Sequence, residues 1–192
     1  MIIINFKKYK TGKAAVKLAK ICEKYKAIVT VQEKDLDLIT KAVKTPVYLQ
    51  YITDKVPKKA KGTFLNHSEH PISNKILRKR IKLAKKAGIK TVVCCTNTKR
   101  AKEIDKMKPS YIAIEPKALI GGKISISKAK PELIEKTVKA VKTKVLVGAG
   151  INTRADVKTA LKLGAKGVLV ASAVAKAKNP GKVLRNLVKG LT

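Results

Sequence analysis

Eight short runs rich in β-branched and apolar residues, separated mostly by segments of helical periodicity, constrain this sequence more than any other feature. They are IIINF (2–6), AIVTV (27–31), PVYLQ (46–50), GTFLN (62–66), TVVCC (91–95), YIAIE (111–115), KVLVG (144–148) and GVLVAS (167–172). Between them, Val157, Ala160, Leu161 and Gly164 share one face of a helix over 156–164, with Thr153 placed to cap it and Asp156 three residues on. Leu77, Ile81, Ala84 and Gly88 make a second stripe. Pro131 and Pro180 stand where a first helical turn tolerates proline, ahead of the stripes Ile134, Val138, Val141 and Val183, Leu184, Leu187, Val188. Strand then helix, repeated about eight times, predicts an α/β chain with an all-parallel sheet. Eight units in one domain over residues 1–192 predict closure into a (β/α)8 barrel. A doubly wound sheet is the alternative, but no G-x-G-x-x-G follows the first strand.

Such a barrel is small. The chain has 192 residues, about 24 per unit, where ~250 residues is typical of the fold. One connection accounts for part of the saving. Only eleven residues, YITDKVPKKAK, lie between Gln50 and Gly62, with Pro57 among them and no apolar stripe. A parallel crossover takes about a dozen residues and usually a helix. The barrel is therefore expected to be truncated in its third βα unit, the third helix being replaced by a strap.

The charge limits the choice of partners. There are 45 basic and 12 acidic residues, a formal +33, and only five of the basic residues are arginine. Base reading and phosphate clamping favour the planar guanidinium, whereas lysine suits a hydrated surface. The lysines are spread through every segment and no aromatic ladder accompanies them, so a specific nucleic-acid site is not expected. No run approaches ~18 apolar residues, and the amino terminus has no small-residue cleavage site. Three cysteines, two of them adjacent, match neither a disulfide framework nor a metal spacing. A cytoplasmic protein without a membrane segment or a metal site is the expectation.

In barrels of this kind the chemistry stands at the C-terminal ends of the strands. Those ends carry Asn5 and Lys7, Gln32, Gln50, Asn66 and His67, Thr96 and Asn97, Glu115, Gly148 to Gly150, and Ala171 with Ser172. Strand alternation would point Asn5 and Lys7 the same way. Glu115 follows an apolar strand, where a carboxylate is poorly hydrated, as a general base can be. The small residues of LIGGK (119–123), VGAGI (147–151) and VASAV (170–174) allow backbone N–H groups to approach an anion, and the last loops of such barrels often hold phosphate.

Taken in order, INFK, NHSEH, AIEP, LIGG, SKAKPE, GAGI and GVLVAS resemble the archaeal triosephosphate isomerase family across nearly the whole chain. That resemblance implies a TIM barrel that interconverts dihydroxyacetone phosphate and glyceraldehyde 3-phosphate with no cofactor and no metal. The family is itself a familiar example of tuned acid–base groups and lid closure. By resemblance, Glu115 is the base and His67 a neutral electrophile facing the N-terminus of a short helix. Lys7 supplies fixed positive charge, Asn5 orients substrate oxygens, and Glu69 matches a glutamate behind the site. The phosphate would lie on backbone groups around Ile120, Gly121, Gly150, Ala171 and Ser172, and residues 116–130 match the lid.

Three departures stand out. The lid reads IGGK, with Gly122 and Lys123 at its tip, where archaeal lids usually read IGTG. Ala173 stands where a glycine is frequent. The stretch after Gln50 lacks the long third loop and helix through which the family usually dimerises, and which buttresses the neighbouring subunit's lysine and asparagine. The usual dimer is therefore not expected; the chain would be a monomer or a homo-oligomer built on another surface. Two other functions fit the same residues less completely: another phosphate-binding barrel enzyme, and a polyanion-binding barrel without turnover.

Overall fold

The computed structural model describes residues 1–122 and 124–192; Lys123, at the tip of the expected lid, lies outside the described residues. Eight strands close into a barrel in chain order: β1 (Ile2–Asn5), β2 (Ile28–Val31), β3 (Val47–Leu49), β4 (Gly62–Leu65), β5 (Lys90–Cys95), β6 (Tyr111–Ile114), β7 (Lys144–Val147) and β8 (Gly167–Val170). Every neighbouring pair is parallel, and Ile2, Ile3 and Ile4 of β1 register with Val168, Leu169 and Val170 of β8 to close the ring. Eight strands are the number at which side chains just fill the interior. The filling is Ile3, Tyr48, Phe64, Val92, Cys94, Ala113, Leu146 and Leu169, one buried cluster. Alternate residues such as Ile2, Ile4, Val29 and Val93 face outward into a second, larger cluster under the helices. Gly62 is required by this filling, because a Cβ there would overlap the Tyr48 ring.

The helices are α1 (Gly12–Lys24), α2 (Glu33–Ala42), α3 (Asn74–Lys86), α4 (Thr98–Asp105), α5 (Ile126–Ala129), α6 (Pro131–Ala140), α7 (Arg154–Lys162), α8 (Ser172–Ala175) and α9 (Pro180–Val188). Pro131 and Pro180 open α6 and α9, and Thr153 and Asp156 form a reciprocal capping box at the start of α7. Two residues assigned to apolar stripes are placed differently. Gly88 and Gly164 lie beyond the ends of α3 and α7, at φ +70° and +93°. At each, the glycine N–H and the next N–H bond back to carbonyls inside the helix, Lys85 and Ala84 in one case, Leu161 and Ala160 in the other. This is the left-handed ending that glycine favours, so both residues stop their helices.

Between β3 and β4 the third helix is indeed absent, and residues 50–61 hold neither helix nor strand. The strap lies flat on its own chain. Ile52 and Ala60 are buried, Tyr51 stacks on His70 with ring centroids 4.2 Å apart, and ion pairs tie the strap to both flanking helices. These are Lys59–Asp37 to α2 at 2.9 Å and Asp54–Lys79 to α3 at 3.0 Å.

Five ion pairs form among the described residues, four of them on the surface. Exposed pairs contribute ~0–1 kcal/mol each and are screened by salt, whereas the repulsion within a +33 chain acts over the whole surface. Repulsion therefore outweighs them. Raising sodium chloride to ~0.5 M is expected to raise the melting temperature by at least ~3 °C, the response to about 1 kcal/mol in a domain of this size. A melting temperature unmoved or lowered by salt would contradict this balance.

Candidate active site

The barrel's period of two builds the site. Two residues beyond the interior side chains Ile3, Tyr48, Ala113 and Leu146 come Asn5, Gln50, Glu115 and Gly148, all at the C-terminal mouth. Asn5, Lys7, His67 and Glu115 line one pocket of about 180 Å³. Ile120, Gly121, Gly150, Ala171 and Ser172 line the same pocket from its other side. That volume is below the ~300–1,000 Å³ of sites for drug-sized ligands and suits a molecule of a few atoms.

Lys7 reaches the pocket by a different route from strand alternation. β1 ends at Asn5, and Lys7 adopts φ +47°, a left-handed conformation unfavourable for a residue with a Cβ. Its neighbours hold it there. The Lys7 N–H donates to Asn5 Oδ1 at 2.9 Å, and Gln32 Nε2 donates to the Lys7 carbonyl at 3.3 Å. The ammonium, although Lys7 is only 7% exposed, pairs with Glu69 at 3.2 Å. Asn5 Oδ1 also accepts from Gln50 Nε2. With its oxygen occupied by two donors, the Asn5 amide turns its NH2 toward His67 Nε2, 3.5 Å away.

His67 follows Asn66, which bends the chain at φ +55° and is held by Cys94 and Ile72 backbone groups. The Glu69 N–H donates to His67 Nδ1 at 3.3 Å, so in the neutral ring the hydrogen is on Nε2. No helix begins here: residues 68–70 form a turn, and α3 starts only at Asn74. The neutrality attributed to a helix terminus has another main source. Burial pushes the imidazole pKa below its usual 6.5, with Lys7 and His70 acting the same way and Glu115 and Glu69 opposing them. Because the folded state then binds fewer protons than the unfolded one, this group's contribution falls as pH drops below about 6.5 toward the lowered value. In an NMR titration the His67 ring is expected to stay neutral through pH 6.5 and to change below it. A midpoint at or above 6.5 would contradict the assignment.

The half-buried Glu115 rests between two small neighbours. A Cβ added to Gly148 would meet the Glu115 Oε1, Cγ and Cδ atoms. On the other side stands Cys94, whose thiol is kept protonated by burial first, then by the charge of Glu115 and a hydrogen bond to it. Neither neighbour competes for the carboxylate as a cation would.

The glycine turns and the lid are fastened together. Ala149 and Gly150 are both left-handed, at φ +70° and +69°, and a Cβ at 150 would overlap the Ile124 carbonyl and the Ser125 Cα. The Ile126 N–H donates to the Ala149 carbonyl at 3.2 Å. Asp156 accepts from Ser125 Oγ at 2.6 Å, Asn152 N–H at 3.0 Å and Thr153 N–H at 2.9 Å. Burial alone would raise its pKa, but these hydrogen bonds together lower it. The C-terminal half of the 116–130 segment is thus anchored to the turn that borders the pocket.

A family model described as Triosephosphate isomerase matches residues 56–189. The triosephosphate isomerase of Methanocaldococcus jannaschii is 40% identical over 216 aligned positions, covering 98% of this chain and 99% of its own. Those of Methanothermus fervidus and Archaeoglobus fulgidus are 39% and 37% identical, each over 98% of this chain and 97% and 96% of their own. The chain belongs to the triosephosphate isomerase family. Its alignment to these relatives is longer than its 192 residues, so it is the shorter partner. Among solved structures, the tryptophan synthase α-subunit of Pyrococcus furiosus superposes with TM-score 0.76 at 16% identity, covering 97% of this chain and 96% of that one. A 3-hexulose-6-phosphate synthase gives the same TM-score at 16% identity over 98% of each chain. These two likenesses establish the barrel alone.

Several residues of this triosephosphate isomerase family site escape sequence reading. Tyr9 stands at the pocket's edge with the Lys176 ammonium 4.3 Å above its ring, a cation–π contact between the first and last loops. Cys94 behind Glu115 and the Asp156 hub are likewise contacts between distant segments, for which local sequence carries no signal. Of the family departures, Ala173 and Gly122 both line the pocket. Thr96 and Asn97 do not line the pocket of Asn5 and Lys7 but an adjoining one that shares His67, Glu115 and Ile120 with it, and the Asn97 side chain caps α4 by accepting from the Arg100 N–H.

Proposed function

We propose that the protein interconverts dihydroxyacetone phosphate and D-glyceraldehyde 3-phosphate by proton transfer through an enediolate, as a step of glycolysis and gluconeogenesis. The observation that carries this is the single small pocket shared by a carboxylate, two converging N–H donors, an ammonium group and two glycine turns. Glu115 removes a proton from one carbon and returns it to the next. His67 Nε2–H and the Asn5 NH2 donate to the two substrate oxygens as negative charge moves between them. A neutral imidazole suits this role, because a donor of moderate acidity supports the enediolate without protonating it outright. The Lys7 ammonium supplies fixed charge that needs no reorganisation. Backbone groups around Ile120, Gly121, Gly150, Ala171 and Ser172 hold the phosphate, and the 116–130 segment closes over it to exclude water. A coupled assay with glyceraldehyde 3-phosphate tests the reading: turnover by the wild type is expected, and its absence at micromolar enzyme would refute it.

We further propose that the enzyme works in the cytoplasm and without the family's usual dimer. Three buried, unpaired cysteines are in keeping with a reducing compartment, and no helix among the described residues is long and apolar enough to cross a membrane. The strap at 51–61, where a dimerising loop would stand, turns Ile52 and Ala60 into its own core. Asn5 and Lys7 are held by Gln50, Gln32 and Glu69 of the same chain. Light scattering at micromolar concentration is expected to show no dimer built on this strap. A structure with the strap inserted into a partner's pocket would overturn the proposal.

A further inference from the structure

The end of the barrel opposite the candidate active site concentrates positive charge. Each of the seven strands after β1 is entered within three residues of an exposed lysine, from Lys26 ahead of β2 to Lys166 ahead of β8. Beneath β3 and β4 this floor opens into a basin of about 760 Å³, room enough for a small organic or inorganic ligand. Six lysines line it: Lys41, Lys44, Lys58, Lys59, Lys61 and Lys90. Among the described residues, no carboxylate and no arginine does so. Lys58, Lys59 and Lys61 belong to the strap, so the basin is built in part by the connection that lacks a helix.

The charges in the basin are poorly balanced. Lys59 pairs with Asp37, which leaves five ammonium groups without an ion-pair partner among the described residues. Glu23, whose carboxylate accepts from the Lys44 backbone N–H, offsets one, and four remain in excess. Lys61 and Lys90 are neighbours on adjacent strands, the Lys90 N–H donating to the Lys61 carbonyl at 3.1 Å, a placement at which like charges destabilise a sheet. Val43, Pro46, Val47 and Tyr48 form the bed, and apolar walls of low dielectric focus the field of the lysines around them. Past Lys90 the basin adjoins a second hollow that carries Lys85 and Lys108.

We propose that this lysine-lined basin at the N-terminal end of the barrel is a second anion site, and that its ligand is a linear triphosphate, free or carried by a nucleoside. The ammonium groups extend from α2 across the strap to β5, so they match an anion whose charge is spread along a chain and not a single phosphate. Without arginine there is no planar fork to fix one phosphate geometry, and the number of charges sets the affinity. A recess admits a thin, flexible chain and excludes a rigid nucleic-acid duplex. An acidic peptide would bring backbone N–H and C=O groups that the apolar bed cannot satisfy. The site lies at the far end of the barrel from Glu115 and His67, and the proposal stands apart from the isomerase reading.

Calorimetric titration of the full chain in ~0.15 M salt tests it, with inorganic tripolyphosphate, ATP and orthophosphate as probes. The wild type is expected to bind tripolyphosphate at least ~10-fold more tightly than orthophosphate. A variant carrying Lys44→Gln, Lys61→Gln and Lys90→Gln is expected to lose about 10-fold or more of that affinity. A second variant removes the same charge from exposed helical positions away from the basin, as Lys20→Gln on α1, Lys136→Gln on α6 and Lys158→Gln on α7. It is expected to stay within about 3-fold of the wild type, with kcat and KM for glyceraldehyde 3-phosphate within about 2-fold in both variants. ATP bound as tightly as tripolyphosphate would mean that the chain alone is read, and tighter binding of ATP that the nucleoside is held as well. Equal losses in the two variants would assign the binding to the charge of the whole surface and overturn the proposal. So would orthophosphate binding within about 3-fold of tripolyphosphate, or duplex DNA bound where tripolyphosphate is not. If the basin variant does not fold, Lys61→Gln with Lys90→Gln decides, at an expected loss of about 5-fold. Affinity is read without turnover, so absence of isomerase activity leaves this test intact.

Discussion

Glu115→Gln is expected to isomerise glyceraldehyde 3-phosphate about 10³-fold more slowly than the wild type, with KM changed by less than about 3-fold. The substitution keeps the shape of the side chain between Gly148 and Cys94 and removes only its capacity to accept a proton from carbon. In the proposed mechanism the phosphate is held by the glycine turns and not by this group, which is why the loss is expected in kcat. Both kinetic constants come from one coupled assay. Loss confined to KM would mean that Glu115 binds substrate without taking its proton. Activity equal to wild type would remove it from the chemistry altogether.

Gly148→Ala is expected to cost about 10² in kcat while leaving the melting temperature within about 2 °C, since ~1 Å of displacement at a reacting group has an effect of that order. The three atoms nearest to a methyl at this position all belong to the Glu115 side chain. The fold can therefore absorb the methyl by moving the Glu115 carboxylate, which the proposed proton transfer does not tolerate. Gly150 is the contrasting case, where an added Cβ would meet backbone of Ile124 and Ser125 and the residue is left-handed, so strain there falls on the structure. If Gly148→Ala unfolds the protein, or leaves kcat intact, the close packing of Glu115 against residue 148 has no functional meaning.

Strand order and the missing helix were legible because their signals are local. IIIN, IVTV and YIAI carry β-branched residues in a short run, and eleven residues after Gln50 are too few for a helical crossover. The capping box at Thr153 and Asp156 is a spacing within one turn, and it formed as written. Gly88 and Gly164 were misplaced because a period of 3.6 residues does not reveal where a helix stops. The left-handed φ at each glycine ended the helix before the stripe was complete. Lys7 enters the pocket through a backbone bend that alternation does not describe.

The nine residues suggested for catalysis and phosphate binding all line one pocket. Their arrangement, however, depends on contacts between segments far apart in the chain. Gln50 on Asn5, Cys94 on Glu115 and Asp156 on Ser125 span gaps of 45, 21 and 31 residues. Barrel register, and not sequence proximity, brings those pairs together. The excess of lysine was visible from the start, but it reports on the surface and not on the site.

Running the isomerisation in deuterium oxide and following the product by proton NMR tests the central idea most directly, because a proton held by a carboxylate exchanges with solvent and a hydride moved between carbons does not. Product formed by the wild type is expected to carry solvent deuterium at the reacting carbon, and Glu115→Gln to slow both turnover and labelling about 10³-fold. Turnover that leaves the product unlabelled, or labelling that persists in Glu115→Gln at the wild-type rate, would contradict a mechanism built on this carboxylate.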